Sequence, residues 1–132
     1  MQLFSDYPAQ VLILLFLIVT FLQSGFDKLL DWKGNVDFIT SHFKNSPLKN
    51  SVPFLLFVIL VLEIVSGILM VYGVYEIYAL EDFAFALLGA ELAALTLIFL
   101  LIGQRLAKDY AGAMTLAVYF IVAVFGVFLL NN

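Results

Sequence analysis

YPAQVLILLFLIVTFLQSGF, residues 7–26, contains no Asp, Glu, Lys or Arg in twenty consecutive positions. About twenty mostly apolar residues are enough for one helix to cross the ~30 Å hydrocarbon core of a bilayer. Residues 110–132 also lack these charged residues, and the apolar stretches 52–75 and 83–104 each contain a single acid. Four such segments predict an all-α integral membrane protein, folded as a four-helix bundle.

The composition favours the same class of protein. Of the 132 residues, 64% are hydrophobic and 12% are charged, whereas a soluble domain is roughly half apolar and about a quarter charged. The sequence has no cysteine, which excludes disulfides, thiolate-held iron–sulfur clusters and a cysteine nucleophile. We expect contact with a lipid bilayer, and neither a metal site nor a nucleic-acid partner.

The chain contains no long linker and no convincing internal repeat, so residues 1–132 are predicted to form one transmembrane domain. A short, acidic and tyrosine-rich loop over 73–82 is expected between the second and third spans. The predicted spans cover about 8–30, 52–73, 82–104 and 110–130.

The basic residues indicate the orientation. All six lie in the first and third connections or in the helix ends beside them, and the other exposed segments have none. Cytoplasmic loops carry the excess of Lys and Arg, so both termini are predicted to lie outside the cytoplasm. The charged residues that we assign to the cytoplasmic side include Asp27, Lys28, Arg105, Lys108 and Asp109. Of these, Asp109 precedes the last span and is expected to be its N-cap.

The first connection is predicted to contain a short amphipathic helix over residues 35–45, lying in the membrane interface. Its apolar positions recur at helical spacing: Trp32, Val36, Ile39 and Phe43. Asn35 is expected to cap its start. His42 is the only histidine of the chain, and we interpret it as an interfacial residue rather than a metal or haem ligand.

The end of the first span carries a polar stripe. At 100° per residue, its members fall within an arc of about 140°: Thr20, Gln23, Ser24, Asp27, Lys28 and Asp31. Lys28 is close enough to the interface to extend its ammonium toward water. Gln23 lies deeper, roughly 12 Å from the cytoplasmic edge at 1.5 Å per residue.

Three further polar residues are predicted at mid-membrane depth. Glu63, Glu91 and Tyr119 each lie about 15 Å from the nearest span edge, and small neighbours favour an inward orientation of the acids. A candidate polar, proton-exchanging or quinone site therefore consists of Glu63, Glu91, Tyr119 and Gln23. One interpretation is structural, with each acid neutral and hydrogen-bonded across helices. A second is proton exchange or quinone binding, with access controlled by Lys28 or Arg105. A third is a contact with lipid or with a partner.

Three short motifs resemble the DoxX family of small four-helix membrane proteins. They are SGFDKLLDW at the end of the first span, LEIVSGILMVYG in the second, and AKDYAGAMTL before the last. The resemblance carries over four motif positions: Gly25, Lys28, Glu63 and Gly67. It implies a four-helix bundle in a prokaryotic plasma membrane. It also implies a link to quinone-reactive oxidoreductases, including subunits associated with thiosulfate oxidation and terminal quinol oxidase, and to oxidative-stress complexes.

Three functions are compatible with these features. The leading hypothesis is a membrane subunit or quinone-interacting component of an oxidoreductase complex, without its own redox centre and without catalysis of its own. Its cofactor would be a non-covalent quinone, and its partners would be other membrane subunits or further copies of the chain. The alternatives are a small proton-coupled transporter that uses the mid-membrane glutamates, and a structural scaffold or assembly subunit.

Overall fold

A computed structural model describes residues 6–131, and these residues form five α-helices. In chain order they are α1 Pro8–Leu30, α2 Trp32–His42, α3 Val52–Leu80, α4 Ala84–Leu106 and α5 Tyr110–Leu130. All except α2 are long and apolar enough to cross a membrane. The predicted fold class, with a short helix between the first two spans, is therefore confirmed.

Prolines and a capping carboxylate explain where three of the long helices begin. Pro8 is the first residue of α1 and Pro53 the second residue of α3, where the missing proline N–H would have no partner within the helix. The Asp109 carboxylate accepts the N–H of Gly112 at 2.9 Å. Asp109 is thus the N-cap of α5, as predicted.

The short helix begins earlier than the sequence pattern predicts. We expected residues 35–45 with Asn35 as the cap, whereas α2 covers Trp32–His42 and is capped by Asp31, whose carboxylate accepts the Gly34 N–H at 3.2 Å. Asn35 lies inside the helix, and its amide donates to the Asp31 backbone oxygen at 2.8 Å. The assignment of Asn35 as cap was wrong because a carboxylate four residues earlier takes that role.

Helix α3 is longer than predicted. It continues to Leu80, so the loop expected over 73–82 is reduced to residues 81–83. Its 29 residues give a length of about 43 Å, which exceeds the hydrocarbon thickness of a bilayer. The tyrosines of its last turns are exposed, as an interfacial aromatic belt requires: Tyr72, Tyr75 and Tyr78.

The four long helices form a ring of neighbours. Helix α3 packs most extensively against α4, α4 packs against α5, α1 packs against α3, and α1 also contacts α5. Small residues on α4 allow this close packing, and many large side chains on the outer surface are apolar, as lipid contact requires. The centre of the core contains Leu14, Leu17, Phe21, Met70, Ile77, Ala86, Ala90, Ala93 and Ala123.

The two ends of the bundle differ in charge. Helix α2 and the connection between α4 and α5 lie at the same end, because each follows an odd number of spans. We call this end the basic end. It carries every Lys and Arg of the chain: Lys28, Lys33, Lys44, Lys49, Arg105 and Lys108.

Candidate functional site

An ion pair joins α1 to α3 inside the bundle. Lys28 Nζ lies 2.8 Å from Glu63 Oε1, and the two side chains are only 13% and 5% exposed. The Lys28 ammonium also donates a hydrogen bond to the Ser24 hydroxyl at 2.7 Å. Part of the polar stripe of the first span therefore faces Glu63.

The Lys28 side chain points toward the interior of the span. The Cα–Cβ bonds of a helix tilt toward its N-terminus, and Ser24, which accepts from the ammonium, lies one turn before Lys28. Because α1 ends at Leu30, this direction leads away from the basic end. The expectation that Lys28 extends toward interfacial water is wrong, since its ammonium is paired with a carboxylate within the bundle.

The contact at Glu63 is ionic rather than a well-formed hydrogen bond. Its Oε1 atom is buried, and no donor within residues 6–131 meets hydrogen-bond geometry with it, although Lys28 Nζ lies 2.8 Å away. The Ser66 hydroxyl, one turn further along α3, donates to the backbone oxygens of Leu62 and Glu63 at 2.8 and 3.2 Å. The Lys28 charge thus compensates the acid, in place of a hydrogen bond between neutral groups.

Two glycines allow α1 and α3 to approach closely beside the ion pair. A Cβ atom at Gly25 would lie 2.5 Å from Ile64 Cδ1, and one at Gly67 would overlap the Leu22 side chain. Small residues at such positions permit close helix contacts in lipid. The four positions of the sequence motif therefore meet at a single helix–helix contact: Gly25, Lys28, Glu63 and Gly67.

This geometry indicates that the ion pair stabilises the packing of α1 against α3. A lysine and a glutamate in contact are together neutral, but removal of one partner from a buried pair leaves a charge that costs about 3–5 kcal/mol. Proton exchange at Glu63 would require water to reach a side chain that is 5% exposed and already in contact with Lys28. The pair therefore contributes to holding α1 against α3.

The four residues of the candidate polar site do not form one hydrogen-bonded cluster. Glu63 is buried, Tyr119 is half-buried, and Glu91 and Gln23 are exposed. The Tyr119 ring lies 6.1 Å from the Phe16 ring, between centroids. Within residues 6–131, no hydrogen bond or ion pair joins any two of the four. Similar depth therefore does not join them through hydrogen bonds or ion pairs.

Glu91 points outward, contrary to the expectation that both acids face the bundle interior. The buried small residues of α4 include Gly89, Ala90, Ala93 and Ala94, and at 100° per residue Glu91 lies roughly 140° from the centre of that face. The prediction failed because small residues adjacent in sequence were taken as neighbours on the helix surface. Glu63, in contrast, lies in helical register with buried residues of α3: Leu56, Leu60, Gly67 and Met70.

A second polar cluster ties α2 to the α4–α5 connection. His42 Nε2 lies 3.0 Å from Gln104 Oε1 and 3.3 Å from Asp109 Oδ2. The His42 and Asp109 side chains are about one-third exposed, so the cluster lies at the surface of the basic end. The part of the chain that the structure describes contains no group of three His, Asp or Glu side chains arranged to hold a metal ion.

The other charged residues assigned to this side do not join that cluster. Arg105 places its guanidinium 4.9 Å from the centre of the Tyr110 ring, a cation–π contact. Asp27 and Lys108 are exposed, and neither side chain forms an ion pair within residues 6–131. These residues shape the charge of the basic end without forming a reactive arrangement.

Glu76 is a buried acid that the sequence analysis missed. It was placed in the loop over 73–82, but it lies within α3, is 5% exposed and accepts the Phe85 N–H through Oε1 at 3.2 Å. The first N–H groups of a helix have no partners within the helix, so a carboxylate close to the start of α4 fits this role. In the sequence, the available signal for a buried acid was a glutamate shortly before the next span. In the structure, Glu76 lies one turn after Gly73, where α3 and α4 pack closely.

The sequence model of the DoxX family matches residues 10–107, which include the ion pair and both glycines beside it. No curated protein and no solved structure matches the chain. The matched region covers most of the first four helices.

Proposed function

Because the chain belongs to the DoxX family, we propose that it is a non-catalytic membrane subunit of an oxidoreductase complex in a prokaryotic plasma membrane. The type of complex comes from the family resemblance, which links such proteins to quinone-reactive oxidoreductases. The distribution of basic residues supports an orientation with the basic end in the cytoplasm and both termini outside. In this proposal a partner subunit supplies the redox centre.

The outward-facing carboxyl of Glu91 is the observation that supports a partner. Glu91 is exposed, and its carboxyl forms no hydrogen bond or ion pair within residues 6–131. It lies seven residues into α4, or about 10 Å from the start of that helix. The exposed residues one turn before and one turn after it are Leu88 and Leu95, so the carboxyl is surrounded by apolar surface.

Such a position is costly when only lipid covers it. An acid near the centre of a transmembrane helix costs about 2.5–3.5 kcal/mol on insertion scales. A hydrogen-bond donor on a neighbouring transmembrane helix would reduce that cost, and hydrogen bonds between such helices contribute about 0.6–2 kcal/mol. We therefore assign the face of α4 around Glu91 as the surface that contacts the partner subunit.

The ion pair favours a subunit over a proton-coupled carrier. A carrier that uses Glu63 requires a water path to its carboxyl, whereas Lys28 occupies the position next to it and both side chains are almost fully buried. A quinone-binding role is the second candidate. It is favoured by the same exposed Glu91 carboxyl, which faces the lipid phase where quinones are dissolved and could donate a hydrogen bond to a quinone carbonyl.

Site-specific photo-crosslinking in native membranes tests the proposal. A photoreactive residue replaces Leu88, which is 50% exposed on α4, and the matched control replaces Val118, which is 56% exposed on α5. We expect a discrete crosslink from position 88 to a membrane subunit of an oxidoreductase, and no such product from position 118. Mass spectrometry identifies the captured protein.

Substitution of Glu91 then tests the assigned contact. Glu91→Gln retains hydrogen-bonding groups and should keep the crosslink, whereas Glu91→Leu should reduce it several-fold. A crosslink that is equally strong in the Leu variant would contradict the assignment of the surface. Capture of a photoreactive quinone, with no protein product, would support the second candidate instead.

A further inference from the structure

An apolar cleft lies between α3 and α4 at the basic end. Its cavity volume is about 370 Å³, within the range of about 300–1,000 Å³ that is typical of ligand pockets. The first turns of α3 form one wall and the last turns of α4 form the other, with Leu48 from the connection after α2. The lining includes Leu55, Ile59, Phe99, Ile102, Gly103 and Leu106.

The cleft opens on the surface that faces lipid. Phe54 and Ile102, which both line it, are 69% and 50% exposed. Gly103 contributes no side chain to the wall, and the Phe43 ring lies 3.5 Å from the position that a Cβ atom would take there. The loop after α2 therefore lies over the end of the cleft at the basic end of the bundle.

Two lysines lie in the connection after α2, next in sequence to residues at this end of the cleft. Lys49 follows the lining residue Leu48, and Lys44 follows Phe43. Both lysines are exposed, and neither forms an ion pair within residues 6–131. No Asp or Glu lines the cleft. An apolar cleft with two exposed, unpaired lysines in the adjoining connection fits a molecule with a hydrocarbon chain and an anionic head.

We propose that this cleft binds an anionic phospholipid. One acyl chain occupies the space between α3 and α4, and the phosphate lies against Lys44 and Lys49. Basic pockets beside transmembrane helices on the cytoplasmic side recognise anionic headgroups in this way. The proposal does not depend on the partner subunit, because the part of α4 that lines the cleft begins at Phe99, eight residues after Glu91.

The test uses the full chain reconstituted in vesicles that contain equal amounts of phosphatidylglycerol and phosphatidylcholine. Native mass spectrometry counts the lipids that remain bound after gentle release. We expect the unaltered protein to retain phosphatidylglycerol in preference to phosphatidylcholine. Equal retention of the two lipids would overturn the proposal.

Two variants test the headgroup contact and the acyl-chain contact separately. Lys44→Gln with Lys49→Gln should weaken phosphatidylglycerol binding by roughly 25-fold, since each lysine near an anionic headgroup contributes roughly fivefold. Ile59→Trp should exclude the acyl chain and reduce retention of phosphatidylglycerol. The control is Ala117→Leu, in the separate groove between α4 and α5, which should leave retention unchanged.

Each result has a defined meaning. Unchanged phosphatidylglycerol retention in the double lysine variant would contradict the headgroup assignment. Because this variant alters only exposed side chains, it should fold even if Ile59→Trp does not. The same vesicles are also prepared with an isoprenoid quinone at equal mole fraction. Displacement of phosphatidylglycerol by that quinone would show that the cleft is a quinone site and overturn the proposal.

Discussion

Lys28 of α1 and Glu63 of α3 form an ion pair with a nitrogen–oxygen distance of 2.8 Å. The lysine lies two residues before the end of its helix and the glutamate lies eleven residues after the start of its own. They meet because the lysine side chain follows the tilt of its helix into the span. The pair therefore links two helices through side chains that are only 13% and 5% exposed.

Gly73 should not tolerate even a methyl group. A Cβ atom there would lie 2.5 Å from both the Cα and the backbone nitrogen of Ala86, and a backbone cannot move aside as a flexible side chain can. We expect Gly73→Ala to lower the free energy of unfolding by about 1–3 kcal/mol, measured by unfolding in mixed micelles.

Gly103→Ala is the matched control for that substitution. A Cβ atom at Gly103 would make only an ordinary contact, 3.5 Å from Phe43 Cζ, and alanine favours the helix by up to about 1 kcal/mol. This variant should be as stable as the unaltered protein or slightly more stable. Equal destabilisation by both alanines would show that α3 and α4 do not approach as closely as described.

Glu76 should slow hydrogen exchange at the start of α4. Its Oε1 atom accepts the Phe85 N–H at 3.2 Å, and loss of such an acceptor at a helix start costs about 0.5–2 kcal/mol. Glu76→Leu should accelerate hydrogen exchange at the Phe85 amide, while Glu76→Gln, which keeps a side-chain oxygen, should change it little. Exchange rates that are the same in all three proteins would exclude this role.

His42 should hold the end of α2 against the α4–α5 connection. Because its contacts to Gln104 and Asp109 are partly exposed, we expect His42→Ala to change global stability by no more than about 1 kcal/mol. Local hydrogen exchange over residues 38–43 should nevertheless increase. Thr40→Ala, at an exposed position of the same helix, is the control and should leave that exchange unchanged.

The long helices were predictable because uncharged apolar segments of sufficient length leave few alternatives in a membrane. Local details were predicted less well. The start of α2 depends on which nearby carboxylate caps it, and Asp31 takes that role. Glu76, near the end of α3, accepts an N–H at the start of α4. Several acids near a boundary are plausible caps, and periodicity does not distinguish between them.

The candidate site was only partly predictable for a different reason. Depth along a helix follows from counting residues, and it indicated Glu63 and Glu91 as unusual positions. The direction in which a side chain points depends on the packing of neighbouring helices. Of the two acids, only Glu63 lies in register with a buried face. The pairing of Glu63 with Lys28 requires α1 and α3 to be adjacent, and no single segment of sequence contains that information.

A double-substitution cycle on the ion pair tests the central claim most directly. The free energy of unfolding in mixed micelles is measured for Lys28→Met, Glu63→Leu and the combined variant. We predict that each single substitution destabilises the protein by about 3–5 kcal/mol, because it leaves a buried charge without its partner. The combined variant leaves no buried charge without a partner, so it should lose less than either single variant, with a coupling energy of about 3 kcal/mol or more. Strictly additive losses would contradict the claim that Lys28 and Glu63 stabilise the bundle as a pair.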